Sequence, residues 1–143
     1  MIYLDASILV SALTRETQSE QVRAWLNSNT GRQVHMSGWT LLEATCALSR
    51  KRRRIDLTEA QYQMTLQLLE AVSSLNWRLV AAVSSDFVMA RNWVSRAELS
   101  LRSGDALHLA IAGRIGLTLV TLDRGMAKVA GQLGIAFANP LLD

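Results

Sequence analysis

Leu117-Thr118-Leu119-Val120-Thr121-Leu122 lies between Gly116 and Asp123 and is apolar on both faces. A half-exposed strand alternates polar and apolar residues. A run without that alternation is covered on both sides, the usual state of a parallel strand. Met1-Ile2-Tyr3-Leu4 is a second run of this kind, broken by Asp5. Weaker strand candidates are Gln33 to Ser37, Trp77 to Val83 and Ile135 to Ala138. Helical spacing fills the intervals, over Ala6 to Leu13, Thr17 to Trp25, Gly38 to Arg50, and Thr58 to about Leu75 with Leu66, Leu69, Val72 and Leu75 on one face. It continues over Ser84 to about Leu101, Ala106 to Ile115, and Gly125 to Leu133. Thr17 with Glu20 has capping-box spacing, and Ser84-Ser85-Asp86 and Ser103-Gly104-Asp105 read as caps. Gly116 and Gly134 close the helices before them. Strands that alternate with helices predict an α/β fold, a three-layer α/β/α sandwich around a central, mainly parallel sheet. No linker or repeat divides the chain, so residues 1–143 are expected to form a single domain.

Half of the 143 residues are hydrophobic and only one is proline, which supports a sizeable core and argues against disorder. The lone Cys46 excludes an internal disulfide; set in the apolar run Leu41 to Leu48, it is expected to be a buried thiol in a reducing, cytoplasmic setting. No stretch approaches the ~18 apolar residues of a membrane span. The net charge of +3 leans toward a polyanionic partner.

Ligands of open α/β sheets bind outside the carboxyl ends of the strands, where helix N-termini also lie. Asp5 and Asp123 each end a strand, Asp105 begins a helix, and Glu43 lies about one turn into another, so the four acids can converge at one edge. Asp5, Asp105 and Asp123 each have a second reading as helix caps. Glu43 does not. Leu41, Leu42, Ala44, Cys46 and Ala47 surround it, and a half-buried acid needs a partner, either a cation or a metal. Carboxylates gathered without compensation repel one another, and a hard divalent cation, Mg²⁺ or Mn²⁺, resolves the repulsion. Such a site suits hydrolysis of a phosphodiester.

The opening Met1-Ile2-Tyr3-Leu4-Asp5-Ala6-Ser7, Glu43 within Leu41-Leu42-Glu43-Ala44, the string Asp105-Ala106-Leu107-His108-Leu109-Ala110, and Leu119-Val120-Thr121-Leu122-Asp123 resemble, in order, the four signatures of PIN-domain proteins. The size is similar to that of the VapC toxins of prokaryotic toxin–antitoxin pairs. The resemblance implies a Mg²⁺- or Mn²⁺-dependent endoribonuclease, usually dimeric and held inactive by a cognate antitoxin. It implies Asp5 and Asp105 as the principal metal ligands, Glu43 and Asp123 as completing the catalytic pocket, and Ser7 as supporting it by hydrogen bonding. Many relatives carry a further acid after the last signature. Here Asp123 is followed by Arg124, Gly125, Met126, Ala127 and Lys128, which puts a second metal in doubt and leaves Arg124 or Lys128 to meet phosphate.

The run Arg50-Lys51-Arg52-Arg53-Arg54 follows the Glu43 helix. It reads either as a solvated helix end or as a track for RNA phosphates, set away from the acids. Trp25, Trp39, Trp77 and Trp93 read as core or interface, with Trp39 nearest the expected site; His108, among apolar neighbours, reads as a core histidine. The last two helices before Trp77 present an apolar clip for a second copy or an antitoxin, with Leu66 and Leu69 as the residues to substitute. Two other function classes remain open: a catalytically inactive PIN-like module that binds RNA or protein, and a phosphatase with Asp5 as nucleophile. The second lacks the acid two residues on that such enzymes use, because Ser7 stands there.

Overall fold

The computed structural model describes residues 1–73 and 77–142; the expected helical position Leu75 lies outside the described residues. Strands β1 (Ile2–Leu4), β2 (Val34–Ser37), β3 (Arg78–Val80), β4 (Thr118–Val120) and β5 (Phe137–Ala138) form one sheet in the order β3-β2-β1-β4-β5. Every neighbouring pair is parallel, with Ile2 opposite both Val34 and Thr118. The described helices are α1 (Ala6–Leu13), α2 (Ser19–Ser28), α3 (Gly38–Arg53), α4 (Glu59–Ser73), α5 (Ser84–Val94), α6 (Ser103–Arg114) and α7 (Arg124–Gln132).

Period-two alternation divides the core. Ile2, Leu4 and Val120 face Ile8, Val22, Leu48 and Leu69 of the first four helices, while Tyr3 and Leu119 face Ala90, Leu109, Ile111 and Val129 of the last three. Each fully buried Leu or Ile contributes about 1.5–3 kcal/mol of transfer free energy. The two cores and the sheet between them are the expected three-layer α/β/α sandwich. α6 is sealed on all sides, with Ala106 to Ala112 buried, which explains why its sequence shows no polar face. Gly116 and Gly134 take positive φ, 64° and 71°, just past α6 and α7.

Several expectations are corrected. Thr17 caps nothing: α2 starts at Ser19, whose hydroxyl accepts from Glu16 N (2.8 Å) and donates to Thr14 O (2.9 Å), closing the turn first. α5 ends at Val94 rather than near Leu101, because the chain folds through a short 3₁₀ turn, Ala97–Leu99, that returns Leu99 to the core; Ser100 then takes a φ of 52°. Asp86 acts from inside the first turn of α5, accepting from Val83 N (2.9 Å) and pairing with Arg114 (2.7 Å). Cys46 is exposed, since Ala44 and Leu48 take the inward positions of α3 and Cys46 falls on the opposite side. Leu69 is core and Leu66 packs against it, so the apolar side chains that α4 shows to solvent are Met64 and Leu68. Trp25, Trp77 and Trp93 pack on the core clusters, as expected.

Candidate active site

The chain winds outward from β1 through β2 to β3, then returns to the other side of β1 as β4 and β5. The order therefore reverses between β1 and β4, and the crevice at their carboxyl ends is where such sheets bind ligands. Asp5 follows β1 and Asp123 follows β4 by three residues, so both reach that crevice.

Asp5 is an N-cap and a crevice acid at once. Its Oδ1 accepts from Ser7 N (3.0 Å), Ser7 Oγ (2.6 Å) and Ile8 N (3.3 Å), and its Oδ2 accepts from Thr121 Oγ1 (2.6 Å). Only 3% of Asp5 is exposed. Burial pushes its carboxyl above the ordinary value, while the His108 ring and the Ser7, Thr121 and Ile8 hydrogen bonds pull it back. Ser7 does more than support Asp5, because its Oγ also accepts from Leu122 N (3.0 Å) and so ties α1 to the exit of β4. Thr121 Oγ1 accepts from Asp123 N (2.9 Å), and Asp123 Oδ1 caps α7 through Met126 N (2.9 Å).

Asp105 does not precede its helix. α6 begins at Ser103, and Asp105 lies in the first turn, half-buried, with its carboxylate free of capping. Burial raises its carboxyl above the ordinary value, and the charges of Asp123 and Glu43 raise it further; His108 and Arg102 act the other way. Asp105 thus feels the other two acids across the crevice.

Glu43, in the second turn of α3, finds a partner that sequence reading did not name. Its Oε2 lies 2.7 Å from His108 Nε2. His108 is a core histidine as expected, 1% exposed, and it faces the site because it stands three residues after Asp105 on α6. The other ring nitrogen lies 2.9 Å from the Tyr3 hydroxyl, which burial pushes up to about 12. The remaining oxygen of Glu43 crowds α6: a Cβ at Gly104 would stand 2.5 Å from Oε1 and 3.3 Å from Trp39 Cζ2.

One open cleft of ≈ 860 Å³ takes in all four acids. It runs along α3, whose Trp39, Glu43, Cys46 and Arg50 recur at helical spacing on the cleft wall. The basic run is therefore not remote. Arg50 and Lys51 line the cleft about 10 Å beyond Glu43, two helical turns on. Lys51 is ion-paired with Glu16, another wall residue. Arg52 pairs instead with Glu59 (2.8 Å), Arg53 donates to Ser49 (2.8 Å), and neither they, Arg54 nor Arg124 lines the cleft. A smaller hollow on the other side of Asp105 and Asp123 is lined by Arg102 and Lys128.

Thr121, Tyr3, Gly104 and Arg102 were missed in the sequence. Thr121 leaves a trace, a hydroxyl inside an otherwise apolar strand end; a buried Tyr likewise asks for a hydrogen-bond partner. Gly104 and Arg102 leave none.

Donor chemistry bears on a metal. Among the described residues no three His, Cys, Asp or Glu side chains stand close enough to grip one ion among themselves. The crevice offers carboxylate oxygens, since His108 is committed to Glu43 and Tyr3. That set fits Mg²⁺ or Mn²⁺, which bind through one or two carboxylates and keep their waters, and does not fit zinc.

The sequence and the fold were compared with known proteins. Ribonuclease VapC35 of Mycobacterium tuberculosis is 30% identical over 145 aligned positions, which cover 98% of this chain and 97% of the relative. FitAcB from Neisseria gonorrhoeae superposes with a TM-score of 0.78 at 22% identity over 100% of both chains. A toxin–antitoxin complex from Klebsiella pneumoniae superposes with a TM-score of 0.65 at 18% identity over 98% of each chain. The PIN-domain family model matches residues 2–132, nearly the whole length, and the chain belongs to that family.

Proposed function

We propose that the protein is a Mg²⁺- or Mn²⁺-dependent endoribonuclease of the cytoplasm, working as a homodimer and neutralised by a cognate antitoxin. The observation that carries this reading is the convergence of Asp5, Glu43, Asp105 and Asp123 on one crevice, where burial first, and the charges of Asp123 and Glu43 after it, raise the Asp105 carboxyl above its ordinary value. The M. tuberculosis relative is a ribonuclease, which supports the substrate class.

Asp5 and Asp105 would hold the cation. Asp5 Oδ2 accepts a single hydrogen bond and keeps capacity for a further partner. Held there, such an ion would lower the pKa of a water and offset negative charge on the phosphate. Glu43 and Asp123 orient water in the pocket. Ser7 and Thr121 fix the Asp5 carboxylate so that it does not swing during the reaction. Arg50 and Lys51 on one side, with Arg102 and Lys128 on the other, meet the flanking phosphates. Exposed Phe87, Val88 and Met89 on α5, and Leu42, Met64 and Leu68 on α3 and α4, are the apolar side chains open to a second copy or to an antitoxin.

That no three such side chains stand close enough to grip an ion among the described residues favours one rival, an inactive module in which the acids only cap and pair. The phosphatase reading is disfavoured, because Ser7 stands where such enzymes use an acid and its hydroxyl already donates to Asp5 Oδ1.

The test is cleavage of a structured RNA with Mn²⁺, with Mg²⁺ and with EDTA, by wild type, Asp5→Ala and Asp105→Ala. Wild type is expected to cut only with a divalent cation, and each variant to lose at least about 10²-fold. Equal cleavage by all three overturns the proposed centre. Binding without cleavage by all three establishes the module.

A further inference from the structure

The buried polar contacts behind Glu43 form one chain through three acid-bearing segments. Ser37 and Thr40 are the N-cap and N3 residues of α3, and their reciprocal hydrogen bonds start the helix that carries Glu43. Both hydroxyls also meet the Tyr3 hydroxyl, Ser37 Oγ at 2.8 Å and Thr40 Oγ1 at 3.2 Å. Thr40 Oγ1 donates to Leu4 O (3.2 Å), the carbonyl just before Asp5. Tyr3 then reaches His108 Nδ1 (2.9 Å), and His108 Nε2 reaches Glu43 Oε2 (2.7 Å).

Counting hydrogens gives the chain a direction. The Thr40 hydrogen goes to Leu4 O. An ionised Glu43 only accepts, so the imidazole hydrogen sits on Nε2. In the neutral ring Nδ1 is then an acceptor, the Tyr3 hydroxyl donates to it and Ser37 donates to Tyr3, which leaves the 3.2 Å approach of Tyr3 to Thr40 without a hydrogen. Which ring nitrogen carries hydrogen is set by the bond the other makes.

Resting on the nuclease reading above, we propose that His108 is a positioning residue: its Nε2–H holds the Glu43 carboxylate against the first turn of α6, and Tyr3 selects the tautomer that lets it do so. His108 borders the cleft but is only 1% exposed, with both ring nitrogens engaged by Glu43 and Tyr3, so its influence passes through Glu43. Residues that orient the side chains of a metal site change affinity or activity by about 10–100-fold when substituted.

Two measurements test this on the full chain. ¹⁵N NMR of the histidine rings at neutral pH, without metal, is expected to show the Nε2–H tautomer at His108 and a mixture of tautomers in Tyr3→Phe. Hydrogen on Nδ1 in wild type, in the neutral tautomer or in the imidazolium, overturns the proposal, whatever the protein's activity. Turnover of RNA with Mn²⁺ is the second. His108→Leu is expected to lower kcat about 10–100-fold with KM for RNA unchanged, and His108→Gln, which keeps a donor at similar reach, to recover most of the loss. In a Glu43→Gln background His108→Leu is expected to change kcat less than about twofold, because the two act as one unit. The same loss in both backgrounds overturns the positioning role. Should His108→Leu fail to fold, His108→Gln and Tyr3→Phe decide the same question. A wild type that cuts no RNA with any cation refutes the nuclease reading alone, and the tautomer measurement still judges the network.

Discussion

Replacing Gly104 by alanine separates the stability of this fold from the geometry of its site. The added Cβ would stand 2.5 Å from Glu43 Oε1, against an ordinary contact limit of 3.4 Å, so the carboxylate must retreat by about 0.9 Å. The obstacle is the far end of a flexible side chain, and Gly104 has no positive φ, so the backbone has no reason to resist. Alanine is the better helix former by up to about 1 kcal/mol, less at a first-turn position. Trp39 Cζ2 at 3.3 Å must also give slightly, and a strained Glu43–His108 bond costs about 1–3 kcal/mol, so the melting temperature is expected to fall by no more than several degrees. The site does not escape, because Oε2 is held at 2.7 Å by His108 and a retreating carboxylate breaks or bends that bond. A displacement of about 1 Å in a reacting group costs about 10²-fold, or roughly 2.7 kcal/mol of barrier. The assay is kcat/KM for Mn²⁺-dependent RNA cleavage beside a thermal melt, on Gly104→Ala alone and combined with Glu43→Ala. The single variant is expected to lose about 10²-fold while remaining folded at the assay temperature, and to cost nothing further once Glu43 is gone. Wild-type activity in Gly104→Ala, or an equal loss on top of Glu43→Ala, refutes the reasoning.

Asp105→Asn is expected to melt higher than wild type at neutral pH in EDTA. The Asp105 carboxyl stands above its ordinary value in the fold, so its charged form is disfavoured there. The associated stability is intact in acid and is lost as pH rises from the ordinary carboxylate value through the raised one. The advantage of asparagine should therefore vanish below about pH 4; melts from pH 4 to 8 check it, and a lower melting temperature for Asp105→Asn at pH 7 contradicts it. Arg50→Ala is expected to weaken RNA binding in EDTA and to flatten the dependence of log K on log salt by about 0.7, the share of one phosphate contact on a single strand. An unchanged salt slope, read by fluorescence anisotropy, removes Arg50 from the track.

The sheet and the order of the acids were legible because they depend on local pattern. The two-faced apolar run before Asp123 could be satisfied only by a strand covered on both sides, and the helices alternating with such strands left few topologies. Asp5 and Asp123 were placed by the rule that strand ends meet at one edge, and both remain helix caps as well. Boundaries went astray where a side chain overrode local preference. Ser19 displaced Thr17 as the residue that closes the turn into α2, and the demand of Leu99 for burial cut α5 short.

What the sequence by itself determined is the set of acids, their order and the kind of fold that would gather them, since charge, periodicity and strand ends are written residue by residue. Tertiary structure alone decided what each acid touches. Glu43 needed a partner, but that His108 supplies it depends on α3 and α6 meeting 65 residues apart. The same packing makes Gly104 a requirement of space rather than of φ, and brings Arg50 and Lys51 onto the wall that Glu43 shares. The reason is physical: a helix face is fixed by spacing along the chain, whereas a contact is fixed by which two faces the sheet brings together.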